Sequence, residues 1–226
     1  MVPIVGNDPQ RLTLITRQAG SARATDRSGP LLPPRAQLTG TARRLQEAAL
    51  VLFGQRGYDA VSVRDIAAEI GVKASSLYAH VPSKQRILVD LVRLGHEEHR
   101  DALRAALLEA GSGPEEQLAA LTRAHVLVHT AYPLLTRVCN RELGSVEEAY
   151  RTEILAVRVD SERLLFDVIE RGQRLGTFGP VDAVLSVAAI GAMGIRVADW
   201  WQADLGVSAQ ELADTYADFA LRIVAA

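Results

Sequence analysis

An all-α fold in two parts is what this sequence predicts, and three observations carry the prediction. Apolar residues recur at three- and four-residue spacing from Leu38 almost to the C-terminus. No stretch alternates apolar and polar residues as a half-buried strand does. Glycines and prolines then cut the periodic run, at Pro133, Gly144, Gly176, Gly179-Pro180 and Gly206. The bulk properties agree with a globular chain. Of 226 residues 48% are apolar and 23% charged, which excludes global disorder. A single cysteine, Cys139, excludes an internal disulfide and a cysteine-rich zinc cluster. No uninterrupted apolar run reaches the roughly 18 residues of a membrane span; the best candidate, Val184 to Ile195, is broken by Ser186 and two glycines. The N-terminus lacks a signal-type apolar stretch, so the expected setting is the cytoplasm.

Net charge is −2, but it is unevenly placed. Residues 1–92 carry 12 Lys and Arg against 7 Asp and Glu, and the remainder carries 13 against 20. A basic front and an acidic rear point the front toward an anionic partner. Residues 1–36, with five prolines and scattered arginines, read as a disordered basic extension.

The front half then resolves into short helices. Leu45, Ala48, Ala49, Leu52 and Phe53 define one amphipathic face ending near Gly57. Ser62 followed three residues later by Asp65 reads as a helix start, since the hydroxyl can satisfy a free N–H and the carboxylate suits the positive end of the dipole. That helix buries Val63, Ile66, Ala67 and Ile70 and stops at Gly71, a natural left-handed residue. A second short helix follows from about Lys73 to His80. Pro82 ends it, and Ser83 caps a longer helix to about Leu108. Two short helices about a tight glycine turn, behind a longer one, form a helix-turn-helix. Its second helix presents Lys73, Ser75, Ser76, Tyr78 and His80, small and hydrogen-bonding groups suited to a major groove.

These residues carry a resemblance. Ala48-Ala49, Leu52-Phe53, Gly57-Tyr58, Val63-Arg64-Asp65-Ile66-Ala67, Gly71-Val72, Ser76-Leu77-Tyr78, His80 and Pro82-Ser83-Lys84 together are similar to the DNA-binding domain of TetR-family transcriptional regulators, over residues 41–92. The resemblance implies a homodimer that reads a pseudo-palindromic operator in double-stranded DNA. It implies phosphate contacts from Tyr78, His80 and Lys84 and groove-facing roles for Ser75 and Ser76; Arg43, Ser62 and Lys73 complete the expected DNA-binding set. Lys73 stands where a capping Ser or Thr is common, and Val81 where Phe is usual. The domains implied are an extension at 1–36, a helix-turn-helix domain at 37–92 and a ligand-binding and dimerisation domain at 93–226.

In the rear half, periodic segments fall at 115–130, 132–141, 145–173, 181–203 and 208–225. The last two fit the pair of helices that forms the dimer bundle in this family, with Ala188, Ala189, Gly191, Ala192 and Gly194 as a small-residue packing surface. A weaker similarity, through Tyr132-Pro133, Glu142-Leu143, Gly172, Gly176 and Trp200-Trp201, is to regulators of lipid or steroid breakdown that sense CoA thioesters. It implies an apolar effector, with Arg137 and Arg141, and Arg196 and Trp200, as two candidate ligand-facing pairs four residues apart. A multidrug sensor is the alternative, although aromatic residues at 5% are sparse for it. His125 and His129 share a helix face at metal-ligand spacing, and His96 and His99 lie three apart, so a metal-binding regulator or a metal-dependent hydrolase is a further alternative; spacing indicates no third ligand, and no cofactor is expected. No phosphate-binding glycine loop or nucleophile elbow is present, and an enzyme is not expected.

Overall fold

The computed structural model describes residues 30–77 and 81–225. Among these the secondary structure is helical throughout, with no strand. A three-helix head comprises α1 (Gly40–Arg56), α2 (Val63–Glu69) and α3 (Ala74–Leu77). Six longer helices follow: α4 (Lys84–Glu109), α5 (Pro114–Ala131), α6 (Pro133–Glu142), α7 (Glu148–Arg174), α8 (Ala183–Trp200) and α9 (Ala209–Ile223). Tyr78 and His80 lie outside the described residues, as does most of the N-terminal extension.

Local chemistry sets the boundaries. Ser62 Oγ accepts from the Asp65 amide at 3.2 Å while Asp65 Oδ2 accepts from the Ser62 amide at 2.7 Å, a reciprocal cap that starts α2. Gly71 follows at φ 71°, and the Val72 amide donates back to Ala67 O at 3.0 Å, folding α3 across Ala67. Ser83 Oγ accepts from the Arg86 amide at 3.1 Å to start α4. Pro133 ends α5 and begins α6, because its ring leaves no amide to continue the first helix yet suits the first turn of the next.

Packing departs from two independent domains. One apolar core joins α1, α2 and Leu77 to the first half of α4, and it continues without interruption into Leu134, Leu135, Val138 and Cys139 of α6 and Ile154 of α7. A second core holds the other half of α4, through Leu103, against α5, α7, α8 and α9. Helix α4 therefore belongs to both.

Two expectations are corrected here. Residues 30–36 are not a loose extension: Leu32 is 1% exposed within the first core, and Arg35 reaches Asp101 at 2.6 Å and Glu97 at 3.5 Å on α4. Proline spacing hid one well-placed leucine. Helix α8 also runs unbroken through Ser186 and its glycines to Trp200, and its 18 residues, with a mean hydropathy of 1.4, are long and apolar enough to cross a membrane by length and composition. It instead lays one side against α5, α6 and α7, burying Ser186, Ile190, Gly194, Val197 and Ala198. Its other side leaves Val184 64% and Leu185 67% exposed.

Replacing Leu32 by Ala should lower unfolding free energy by about 2–5 kcal/mol, the cost of truncating a buried leucine, as measured in denaturant. A loss near zero would return this segment to the disordered extension. Gly71→Val should cost about 1–3 kcal/mol through backbone strain alone, since no atom lies within 4 Å of an added Cβ there. Gly71→Asn, which tolerates the left-handed region, should cost less.

Candidate effector cavity and nucleic-acid interface

In the head, Lys73, Ser75 and Ser76 are exposed on and just before α3, while Leu77 is fully buried beneath them. The same turn thus anchors itself with one residue and presents three others outward. Arg43 pairs with Glu47 at 2.8 Å along α1. The Ser62 hydroxyl is engaged with Asp65, donating to Oδ2 at 2.5 Å. Lys84 is held inward: its ammonium donates to Tyr58 O at 2.9 Å and Val61 O at 2.8 Å and lies 4.0 Å from the centre of the Tyr58 ring. It fastens the loop after α1 onto the start of α4. An ammonium has three donors, and two of them serve these carbonyls.

The rear half contains a cavity of about 630 Å³ between α4, α5, α6, α7 and α8. Its floor is imidazole: His96 and His99 of α4 and His125 and His129 of α5, four of the chain's five histidines. Val184, Val187, Ala188, Ala192 and Ile195 of α8 and Phe166 of α7 give an apolar wall, and Arg158, Glu162 and Arg163 of α7 stand on another side. Desolvation pushes the histidines down, His96 and His125 to about 4, His129 to about 3 and His99 well below its ordinary value, with mutual repulsion adding at His99 and His129. All four rings are neutral near pH 7. Cys139 also borders the cavity, but burial pushes its thiol up to about 12 and its Sγ donates to Leu91 O at 3.3 Å, so it is an inert packing group.

Comparison with known proteins places this geometry. Residues 45–91 match the bacterial regulatory proteins of the tetR family, and residues 111–224 match the tetracyclin repressor-like C-terminal domain. The chain belongs to the TetR family. It is 41% identical over 80 residues to the transcriptional regulator BetI of Agrobacterium fabrum, a match spanning 35% of this chain and 38% of BetI. It is 27% identical over 145 residues to the transcriptional repressor KstR2 of Mycobacterium tuberculosis, covering 64% of this chain and 72% of that protein. Among solved structures, PfmR of Thermus thermophilus aligns at a TM-score of 0.71 and 31% identity, over 80% of this chain and 97% of that one. AibR in complex with isovaleryl coenzyme A and operator DNA aligns at a TM-score of 0.71 over 79% and 96%; at 21% identity this likeness is one of fold. The relatives are transcriptional regulators rather than enzymes, and this TetR-family chain is a DNA-binding transcriptional regulator.

The residues expected to face an effector do not border this cavity. Arg141 donates to Phe53 O and, at 3.4 Å, to Gly54 O, satisfying carbonyls at the end of α1, and it pairs with Glu142 at 2.9 Å. Arg137 donates to Ala198 O at 3.0 Å near the end of α8. Arg196 pairs with Asp199 at 2.8 Å, and Trp200 packs with Trp201, Val126 and Leu212 in a third, smaller cluster. None of the four lines the cavity. Spacing of four placed each pair on one face, but the neighbours under that face are backbone carbonyls and α9. Helix α6 emerges as the link: Thr136, Cys139 and Asn140 border the cavity while Arg141 and Glu142 hold the head, Glu142 Oε1 accepting from the Tyr58 amide at 3.3 Å.

One glycine of α8 also has a role within the chain. A Cβ on Gly194 would overlap Cδ2 and Nε2 of the His125 ring, and Gly191 O lies 3.1 Å from His125 Nε2. Gly194 thus makes room for an imidazole, whereas a Cβ on Gly191 would meet nothing within 4 Å. Gly194→Ala should therefore displace the His125 ring and cost about 1–3 kcal/mol of stability by overpacking. An unchanged denaturation midpoint would show that the ring is not confined there.

Proposed function

We propose that this regulator is a repressor that binds a pseudo-palindromic operator as a homodimer and is released by a small, largely apolar effector in the rear cavity. One observation carries the reading: the cavity is bordered by α4 and α6, and both helices run on into the core of the DNA-reading head. An effector that fits better when α4 and α6 are shifted favours that state by its differential affinity, and the spacing of the two heads changes with it. The dimer surface runs over residues 181–225, where α8 exposes Val184, Leu185, Ala188, Ala189 and Ala192 and α9 exposes Phe219. An apolar row of this kind on a helix is stable once covered, and a second copy covers it by symmetry. The protein acts in the cytoplasm.

The effector class we favour is an acyl-CoA or related lipid metabolite. The apolar α8 wall suits an acyl chain, and Arg158 and Arg163 supply cations for an anionic group. The sequence likeness to KstR2, described as a ketosteroid regulator, supports the same direction. A chain-length series of acyl-CoAs added to a labelled-operator assay tests it: operator release with an optimum chain length is expected, and constant affinity across the series would discard the class.

On the DNA side, Lys73, Ser75 and Ser76 are the outward groups of the recognition turn, with Tyr78, His80, Lys84, Arg43 and Ser62 as further contacts. Lys73→Ala should weaken binding to all DNA sequences alike and reduce the salt slope by about 1. Ser76→Val should instead cost about 1–3 kcal/mol at the operator and little on unrelated DNA. Equal losses on both would remove Ser76 from the base-reading set.

A further inference from the structure

Three of the cavity histidines are arranged for more than polar packing. His99, His125 and His129 each direct a ring nitrogen into one place, with the three candidate atoms all within 4.8 Å of one another. The ring centres of His125 and His129 are 4.6 Å apart, and His99 lies 4.9 Å and 5.7 Å from them. Two backbone carbonyls fix the tautomers. A carbonyl only accepts, so His125 donates from Nε2 to Gly191 O at 3.1 Å and keeps its lone pair on Nδ1. His129 donates from Nδ1 to His125 O at 2.8 Å and keeps its lone pair on Nε2. This is the outer-shell pattern of metal-bound imidazoles, in which the second nitrogen is bonded to a carbonyl so that the first points at the ion.

We propose that His99, His125 and His129 bind one divalent transition-metal ion of the zinc, cobalt or nickel class, with an open coordination position facing the cavity. The site stands on this geometry and does not rest on the acyl-CoA reading. His99 Nε2 is now 2.7 Å from His125 Nδ1, where it donates the proton that a metal would replace. On binding, that proton moves to His99 Nδ1 and none is lost overall. Metal–nitrogen bonds of about 2.1 Å at tetrahedral angles place ligand nitrogens roughly 3.4 Å apart, so the His99–His125 pair, now at 2.7 Å, opens and any pair standing as far apart as 4.8 Å closes, by ring rotations. The donor set is all nitrogen, which selects this class over magnesium or calcium. A second, independent sign of a missing partner lies one turn away: His96 faces the same cavity, buried, with its Nε2 bonded to nothing among the described residues.

The test uses tag-free full-length protein, stripped by chelator and titrated with Co²⁺. One ion per chain is expected, with the visible absorption of a tetrahedral, nitrogen-ligated cobalt centre, and Zn²⁺ should displace it. His125→Gln and His129→Gln should each weaken binding by more than about 100-fold, beyond what loss of an outer-shell partner costs, with circular dichroism confirming the fold. Should either variant fail to fold, the partly exposed His99→Gln serves in its place. Failure of wild-type protein to take up one Co²⁺, an octahedral spectrum, or full affinity in the folded variants would overturn the assignment. Operator affinity measured with and without the ion reports separately on regulation, so a metal site without an acyl-CoA response, or the reverse, is recognised as such.

Discussion

The DNA-reading head has no hydrophobic core separate from the rest of the molecule, and much else follows from that. Its three helices span fewer than 40 residues, too few to bury a core that stands alone. Phe53, Ile66 and Leu77 are closed over by Ile87, Leu88 and Leu91 of α4 and by Leu134, Leu135 and Val138 of α6. The contact of α6 with α1 is therefore structural first. Because α6 also borders the cavity, the proposed ligand response would pass through it: a shift that repacked α6 would be felt at α1 with no intervening linker to absorb it.

Polar contacts sharpen that joint. Arg141 donates to carbonyls at the end of α1, Glu142 receives the Tyr58 amide, and Lys84 ties Tyr58 and Val61 to the first turn of α4. Phe53 O and Tyr58 O also accept the Gly57 amide at 2.9 Å and the Val61 amide at 3.2 Å, so Arg141 and Lys84 fill the second lone pair of carbonyls that are already engaged. Close approach supports the same joint. A Cβ at Gly95 of α4 would overlap the Cys139 sulfur, so only glycine admits α6 this near. The buried Cys139 occupies that crossing point.

Much of the fold was legible in the sequence because it is written locally. Ser62 with Asp65, Gly71, Ser83 and Pro133 are start and stop signals whose chemistry acts within a few residues, and the helices fall within a few residues of the expected ranges. The site was less legible because it is made between helices. His125 and His129 could be found by spacing, but His99 reaches them from 26 residues away, through the crossing of α4 and α5, and no local pattern encodes that crossing. The arginine pairs failed as cavity residues for a related reason: a four-residue repeat fixes a face without naming the neighbour beneath it. Gly194 carried the same ambiguity, since a small residue that admits a partner helix also admits a ring. Leu32 went unread because its burial depends on α4 and α1 being in place.

The shared core is most directly tested by residue-resolved native-state hydrogen exchange. Amides of Leu50–Phe53 in α1 and of Leu135–Val138 in α6 should open with the same free energy and the same denaturant dependence, as parts of one cooperative unit. If α1 to α3 instead exchange together at markedly lower free energy while α6 stays protected, the head folds on its own terms, and a ligand in the cavity has no continuous core through which to reach it.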